Sequence, residues 1–441
     1  MHTHTALIGF AAGALALDLA MSSCILNAAA AAGQTPGYEE AYRAGSTLYT
    51  RVGGNSASVM DFAGARREFR RALELATMDN EKAEALLAIG RASLSDVNET
   101  DYAAIRGEYA RVLALVTLTP RQRAEALLGT AEAYLSEKNY PAAREACAQA
   151  RAAADDPVWA ARAQMLISRS YLQERNYPVA RQEFQRVLGI EGAEEPMRWE
   201  AEGILSAIDL LPRIRTGHPR LFITDETWPA VKQRALTAEK ERFDQMKARV
   251  EAISLDEIPL RNWGSPDHGS GQVGIMEAAF VYRVTGDPVT LEKVRRMLRA
   301  TVDLFPERRI GNSERAYPRL AWLAALDWVW NDLPAPERQS LAEAMIRHAW
   351  TIVSEDRTND GHYVMVWPHY YMPCTHAYAG IALLDPEGDD VAQVRVVTLL
   401  GIGLKQHQDR YAKLIRRAGD DSAWQGNLDY DFGEVPTQQF A

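Results

Sequence analysis

Histidine and tyrosine crowd one stretch of this chain. The eighteen positions Gly361–Tyr378, GHYVMVWPHYYMPCTHAY, hold His362, His369 and His376, three of the nine histidines, together with four tyrosines. Imidazole and phenol groups are the side chains that pass protons when suitably placed. A free tyrosine titrates near pH about 10, so a tyrosine base needs a cationic or hydrogen-bonding neighbour that stabilises its phenolate. A second cluster lies 61 positions beyond His369, where Tyr430 sits in GDDSAWQGNLDYDFG with Trp424 and four aspartates, Asp420, Asp421, Asp429 and Asp431. Metal chemistry is not indicated: no carboxylate lies between the three histidines and no HExxH pattern occurs. Cys24, Cys147 and Cys374 lie too far apart for a zinc spacing or a disulfide framework. P-loop, GxSxG and calcium-loop motifs are absent, and no metal or cofactor is expected.

The elements that must position these residues read as helices. From about residue 218 onward, apolar stretches such as 294–304 and 341–352 alternate with turns at Thr285–Pro288, Asn331–Pro334 and Leu384–Gly388, the pattern of antiparallel helical hairpins. Arg315 and Arg319 flank Tyr317-Pro318 in an expected turn, where they could grip an anionic sugar in bidentate fashion or simply face water. Pro373 is expected to interrupt any helix joining His369 to His376. A histidine in such aromatic surroundings also serves commonly as a packed core residue.

Ahead of this region the chain repeats itself. YLSEKNYPAAR, from Tyr134, returns almost position for position as YLQERNYPVAR, from Tyr171, and weaker copies surround Phe62 and Tyr102. The aromatic markers Phe62, Tyr102, Tyr140 and Tyr177 are spaced by 40, 38 and 37 residues. Each unit reads as two helices with small residues where they approach, and Tyr140 and Tyr177 fall at packing positions. Such units bury their apolar faces only by stacking, which makes a solenoid with a concave, partner-binding surface. The segment LLPRIRTGHPR, 210–220, breaks the pattern and marks the domain boundary.

Residues 1–33 read as a signal peptide, because Ala6–Leu17 is an apolar run of signal-core length followed by small residues at Ala28–Ala30. Cys24 is a candidate lipidation site. An exported, periplasmic or extracellular protein without a transmembrane segment is expected. The whole chain of 441 residues carries 49 basic and 59 acidic side chains, a net charge of -10, so electrostatics would not draw it to nucleic acid.

Two families are similar to parts of this sequence. The repeats, residues 34–212, resemble tetratricopeptide repeats, with Ala131 to Tyr134 and Ser168 to Tyr171 matching the small-x-x-Tyr of their first helix. Residues 218–441 resemble the heparinase II/III-like and alginate-lyase-like polysaccharide lyases. The likeness rests on His218-Pro-Arg-Leu-Phe222, on Leu323–Leu333 with its Asp327-Trp328 and the following Pro336-Glu-Arg338, and on the Trp424–Tyr430 segment. It implies an all-α chain: a tetratricopeptide-like solenoid, then an incomplete (α/α) toroid that stops at Ala441 without the usual β-sandwich.

The resemblance further implies β-elimination from an acidic, uronic-acid-containing polysaccharide. His369 then binds the carboxylate or acts as base, and Tyr430 is the acid/base. Arg315, Trp367, His376 and Trp424 line an aromatic, substrate-binding cleft, and Asp327-Trp328 is an architectural helix end. Two positions depart from the family pattern: Pro368 stands where an Asn helps neutralise the carboxylate, and Gln425 replaces a Glu. These departures keep open a non-catalytic scaffold or glycan-binding protein that recruits a partner through its repeats. The aspartates near Tyr430 keep open a glycoside hydrolase on the same fold.

Overall fold

The computed structural model describes residues 37–49, 61–96, 99–153, 156–258, 274–304, 316–356, 373–385 and 390–418. Among them the chain is helical throughout, with turns and no strand. Contacts divide it into two compact units between Leu205 and Ser206, a few residues ahead of the proline-rich boundary expected from composition. The division falls inside one unbroken helix, Glu195–Leu210, since the prolines come only after it.

In the first unit, helices pair as α1 (Tyr38–Tyr49) with α2 (Phe62–Leu75), α3 (Asp79–Ser95) with α4 (Tyr102–Leu113), α5 (Pro120–Ser136) with α6 (Tyr140–Ala153), and α7 (Pro157–Gln173) with α8 (Tyr177–Gly189). α9 is the helix Glu195–Leu210. First helices also stack on one another, α3 on α5 and α5 on α7. Each aromatic marker of the sequence is the first residue of a second helix. The residue before it is the N-cap: Asp61 accepts from Gly64 N–H (2.6 Å), Asp101 from Ala104 (2.9 Å), Asn139 from Ala142 (3.3 Å) and Asn176 from Val179 (3.4 Å). A short acceptor there satisfies a backbone N–H that the helix leaves open.

Counting on from the markers explains the packing. Three residues on lie Ala65, Ile105, Ala143 and Ala180; seven on, Phe69, Tyr109, Cys147 and Phe184; ten on, Ala72, Val112, Ala150 and Val187, and all twelve are buried. Cys147 thus occupies the slot that other repeats give to an aromatic ring, and burial pushes its thiol up to about 12. It is a packing residue, as a small hydrophobe. The turns repeat too. Asn139 N–H reaches back to Tyr134 O (2.8 Å) and Asn176 N–H to Tyr171 O (2.9 Å), with Lys138 and Arg175 left-handed at φ 62 and 55. This is the helix-ending motif normally given to glycine.

Neighbouring repeats are joined by an arginine four residues past the marker. Arg66 meets Asp96 at 2.8 Å. Arg106 pairs with Glu137 and lies over the Tyr134 ring at 4.5 Å. Arg144 pairs with Glu174 at 2.9 and 3.2 Å and lies over the Tyr171 ring at 4.4 Å. These groups are part-exposed, so Glu174→Gln is expected to lower stability by less than about 1 kcal/mol in urea unfolding. A larger loss would show the pair to be shielded from water.

The second unit begins with α10 (Trp228–Leu236) and α11 (Lys240–Glu251). Three hairpins follow. They are α12 (Ile275–Thr285) with α13 (Pro288–Leu304), α14 (Ala316–Val329) with α15 (Ala335–Asp356), and α16 (Pro373–Ala382) with α17 (Asp390–Ala418). The stretches 294–304 and 341–352 fall within α13 and α15, as the periodicity requires. α12 packs on α14 and α14 on α16; α13 packs on α15 and α15 on α17. The hairpins therefore stand side by side in two rows. α13 and α15 run in the same direction, since Arg295 meets Glu337 at 2.6 Å and Arg299 meets Ser340 at 3.0 Å.

Between the rows lie Trp322, Leu323, Leu326, Met297, Leu298, Leu341 and Met345, all fully buried. Trp322 Nε1 donates to Leu298 O at 2.8 Å, which meets the one polar demand of that indole. Lys293 is buried as well, its Nζ donating to Val250 O and Glu251 O at 2.9 Å each, at the end of α11. There the carbonyl ends of a helix favour a cation. One sequence expectation is corrected: Arg319 lies not in a turn but inside α14, buried on its inward face. Pro373 is the first residue of α16, the helix that carries His376; proline at the first helical position lacks only an N–H that has no partner there anyway.

Candidate functional site

The most elaborate polar arrangement among the described residues lies where the segment Thr216–Ile223 meets the C-terminal end of α14. Asp327 is fully buried, 0% exposed, on the last turn of that helix. A buried carboxylate must be matched by donors, and here three converge. His218 Nδ1 sits 2.6 Å from Oδ1, and the backbone N–H groups of Arg220 and Leu221 both donate to Oδ2 at 2.7 Å.

The same helix end returns bonds to the segment. Trp328 Nε1 donates to Leu221 O at 2.8 Å and Asn331 Nδ2 to His218 O at 3.1 Å. The His218 ring stacks on Trp330, centroids 4.4 Å apart and planes 15° from parallel. Arg220 carries the arrangement across to α16. Its guanidinium donates to Ile381 O (3.0 Å) and Leu384 O (2.6 Å) at that helix's carbonyl end, and to Thr216 O at 2.7 Å.

Burial pushes the His218 pKa below its ordinary value, an effect that the Asp327 bond only partly offsets. At neutral pH His218 is therefore the neutral ring, its Nδ1–H donating to Asp327 Oδ1. A neutral imidazole oriented by a carboxylate is the arrangement used in proton relays. Here, however, backbone groups also saturate the carboxylate and the ring lies flat on tryptophan. The geometry is that of a clamp, in accord with the architectural role read for Asp327-Trp328.

Two further polar pairs lie nearer the opposite end of the same hairpins. Arg319, 2% exposed, donates from Nε to His348 Nε2 at 2.8 Å, joining α14 to α15. His348 must accept there, so its proton sits on Nδ1. His376, 0% exposed, faces Gln406 with Nδ1 to Oε1 at 3.3 Å, joining α16 to α17. Each pair spans the two helices of one hairpin. That is where a polar contact sets register between helices, and it leaves His376 covered by protein rather than facing solvent.

Of the residues singled out in the sequence, Arg315, Trp367, His369, Trp424 and Tyr430 lie outside the described residues, as do Pro368 and Gln425. Of the residues proposed as catalytic or substrate-binding, His376 is the one that lies among the described residues. The helix ends that border residues 305–315, 357–372 and 419–441 are the last turns of α13, α15 and α17 and the first turns of α14 and α16. The chain directions put all of these at the end of the hairpins away from Asp327. Sequence reading missed His348, and it missed the pairing of His218 with Asp327, 109 residues apart. The only trace of that pairing was that both fell within the lyase-like motifs.

Among the described residues no group of three or more His, Cys, Asp or Glu side chains could hold a metal ion. No described helix is long and apolar enough to cross a membrane. In comparison with known proteins, the chain matches no protein-family model, no curated protein and no solved structure.

Proposed function

We propose that the second unit is a partial (α/α) toroid of the polysaccharide-lyase kind, cleaving uronic-acid-containing glycans by β-elimination, and that the first unit is a tetratricopeptide-like solenoid. One observation carries the reading of the second unit. Two of the three motifs on which the family likeness rested, His218-Pro-Arg-Leu-Phe222 and the Asp327-Trp328 helix end, lie about a hundred residues apart in sequence, yet they form one hydrogen-bonded clamp. Two motifs that physically require each other support a shared architecture better than two isolated short matches. The paired rows α12–α14–α16 and α13–α15–α17 fit the double layer of such a toroid. For the first unit, support comes from the repeated cap, packing slots and turn of each helix pair.

In this mechanism the substrate carboxylate is neutralised by hydrogen bonding, which makes the C5 proton acidic. A base removes that proton, the C4–O bond breaks, and an acid protonates the departing oxygen, leaving a 4,5-unsaturated uronate. His369 serves as carboxylate binder or base and Tyr430 as acid/base. Arg315, Trp367, His376 and Trp424 are the proposed substrate contacts. For His376 that role requires movement of what covers it.

The test is short-wavelength ultraviolet absorbance over time with heparin-like, alginate and chondroitin substrates, with Tyr430→Phe alongside. A growing unsaturated-uronate signal that disappears in the variant is the expected result. Silence on every substrate from a folded sample would overturn the lyase reading.

A second reading is favoured by specific residues. Pro368 and Gln425 remove two groups of the lyase pattern, and this leaves glycan binding without cleavage. Under that reading the acidic glycan binds with equal affinity to wild type and to Tyr430→Phe.

A further inference from the structure

The segment Thr216–Ile223 unites three features that a plain connector does not need. Its hold on the second unit runs through one carboxylate, two indoles and the Arg220 bonds described above. Its backbone is strained: Phe222 has φ 63, and Ile223 N–H closes a three-residue turn onto Leu221 O at 2.7 Å across it. A non-glycine residue at the centre of such a turn costs on the order of 1–3 kcal/mol and persists only when its surroundings enforce it. Phe222 contributes little to that enforcement, since its ring is 38% exposed and rests against Tyr378 at 5.5 Å. Finally, the side chain seated on Asp327 is an imidazole, the group whose charge changes most readily between about pH 5 and 8.

We propose that Thr216–Ile223 is an acid-released clip: neutral His218 keeps it closed on the end of α14, and a second proton on His218 releases it while the helix hairpins stay folded.

Burial and the charges around His218 together set the direction. Asp327 of α14 and Asp385, just past α16, favour the cation. Arg220 on the segment itself opposes it, and Arg338 of α15, over the Trp330 ring at 5.6 Å, brings a further positive charge to the same indole. Loss of water on burial opposes it most, so the closed clip holds His218 below its ordinary value. Released into water, the same ring titrates near about 6.5. The proton therefore binds the released state more tightly, and lowering the pH through about 6.5 favours opening. With one proton taken up, the opening constant grows about tenfold per pH unit until the closed form itself titrates. Relief of the Phe222 strain acts in the same direction, and Ile381 O and Leu384 O exchange Arg220 for water.

The experiment is amide hydrogen exchange on the full chain at about pH 7.5 and about pH 5, corrected for intrinsic rates, following the Arg220 and Leu221 amides. Their opening is expected to rise in acid, by up to about tenfold for each pH unit below about 6.5, while amides inside α12–α17 hold their protection. In His218→Gln the side-chain amide can still donate to Asp327 but cannot titrate, so protection near neutral pH should persist and the acid response vanish. Protection that does not change with pH, or an equal acid response in His218→Gln, would overturn the clip. If that variant fails to fold, the wild-type imidazole titration followed by NMR decides: a His218 that titrates above about 6.5 in the folded chain rules out release by protonation.

Discussion

Asp327→Ala is expected to destabilise the second unit by about 3–5 kcal/mol, because it strips three buried donors of their acceptor. The substitution leaves three donors facing a void: the His218 ring and the Arg220 and Leu221 amides. Each unsatisfied buried donor costs about 1–3 kcal/mol, and partial relaxation keeps the total below the simple sum. The strained turn at Phe222 also loses the anchors on its N-terminal side. Asp327→Asn should fall between wild type and alanine, because one amide oxygen can still accept while the amide nitrogen meets a donor. Urea unfolding, with a probe in each unit, checks this. The first unit should keep its midpoint, and a loss under about 1 kcal/mol in the second would mean that water already serves these donors.

Gly129→Ala should be nearly as damaging in the first unit. A Cβ at Gly129 would stand 2.1 Å from Tyr109 Cζ, and one at Gly90 2.5 Å from the same atom. The tyrosine ring, 1% exposed, is held between the two first helices α3 and α5 by the absence of side chains on both. An added methyl must therefore push the ring or separate the helices. Overpacking of this kind costs about 1–3 kcal/mol, and here the upper end is expected because two helices confine the ring. Pairing Gly129→Ala with Tyr109→Leu tests the cause. If the ring is the obstacle, the double variant should be more stable than the sum of the two single losses predicts, whereas strict additivity would place the damage elsewhere.

The repeats were legible because local rules and packing agree there. Asp61, Asp101, Asn139 and Asn176 cap helices within three residues of themselves, and the aromatic markers set a buried face at fixed offsets, so the sequence periodicity is itself the packing diagram. Arg319 was misread as a turn residue because Tyr317-Pro318 reads locally as a break, whereas proline in the first turn of α14 is compatible with helix.

The sequence by itself determined the all-helical class, the repeat and its period, and the turns at Thr285–Pro288 and Asn331–Pro334 inside two of the hairpins, since each of these rests on contacts among residues close in the chain. Only the tertiary structure decided that His218 belongs to Asp327, that Arg319 faces His348 and that His376 faces Gln406. Partners separated by 109, 29 and 30 residues leave no periodic mark in one sequence. What selects them is burial. Once the hairpins exclude water, each polar group left inside must find the one partner that the packing brings within reach.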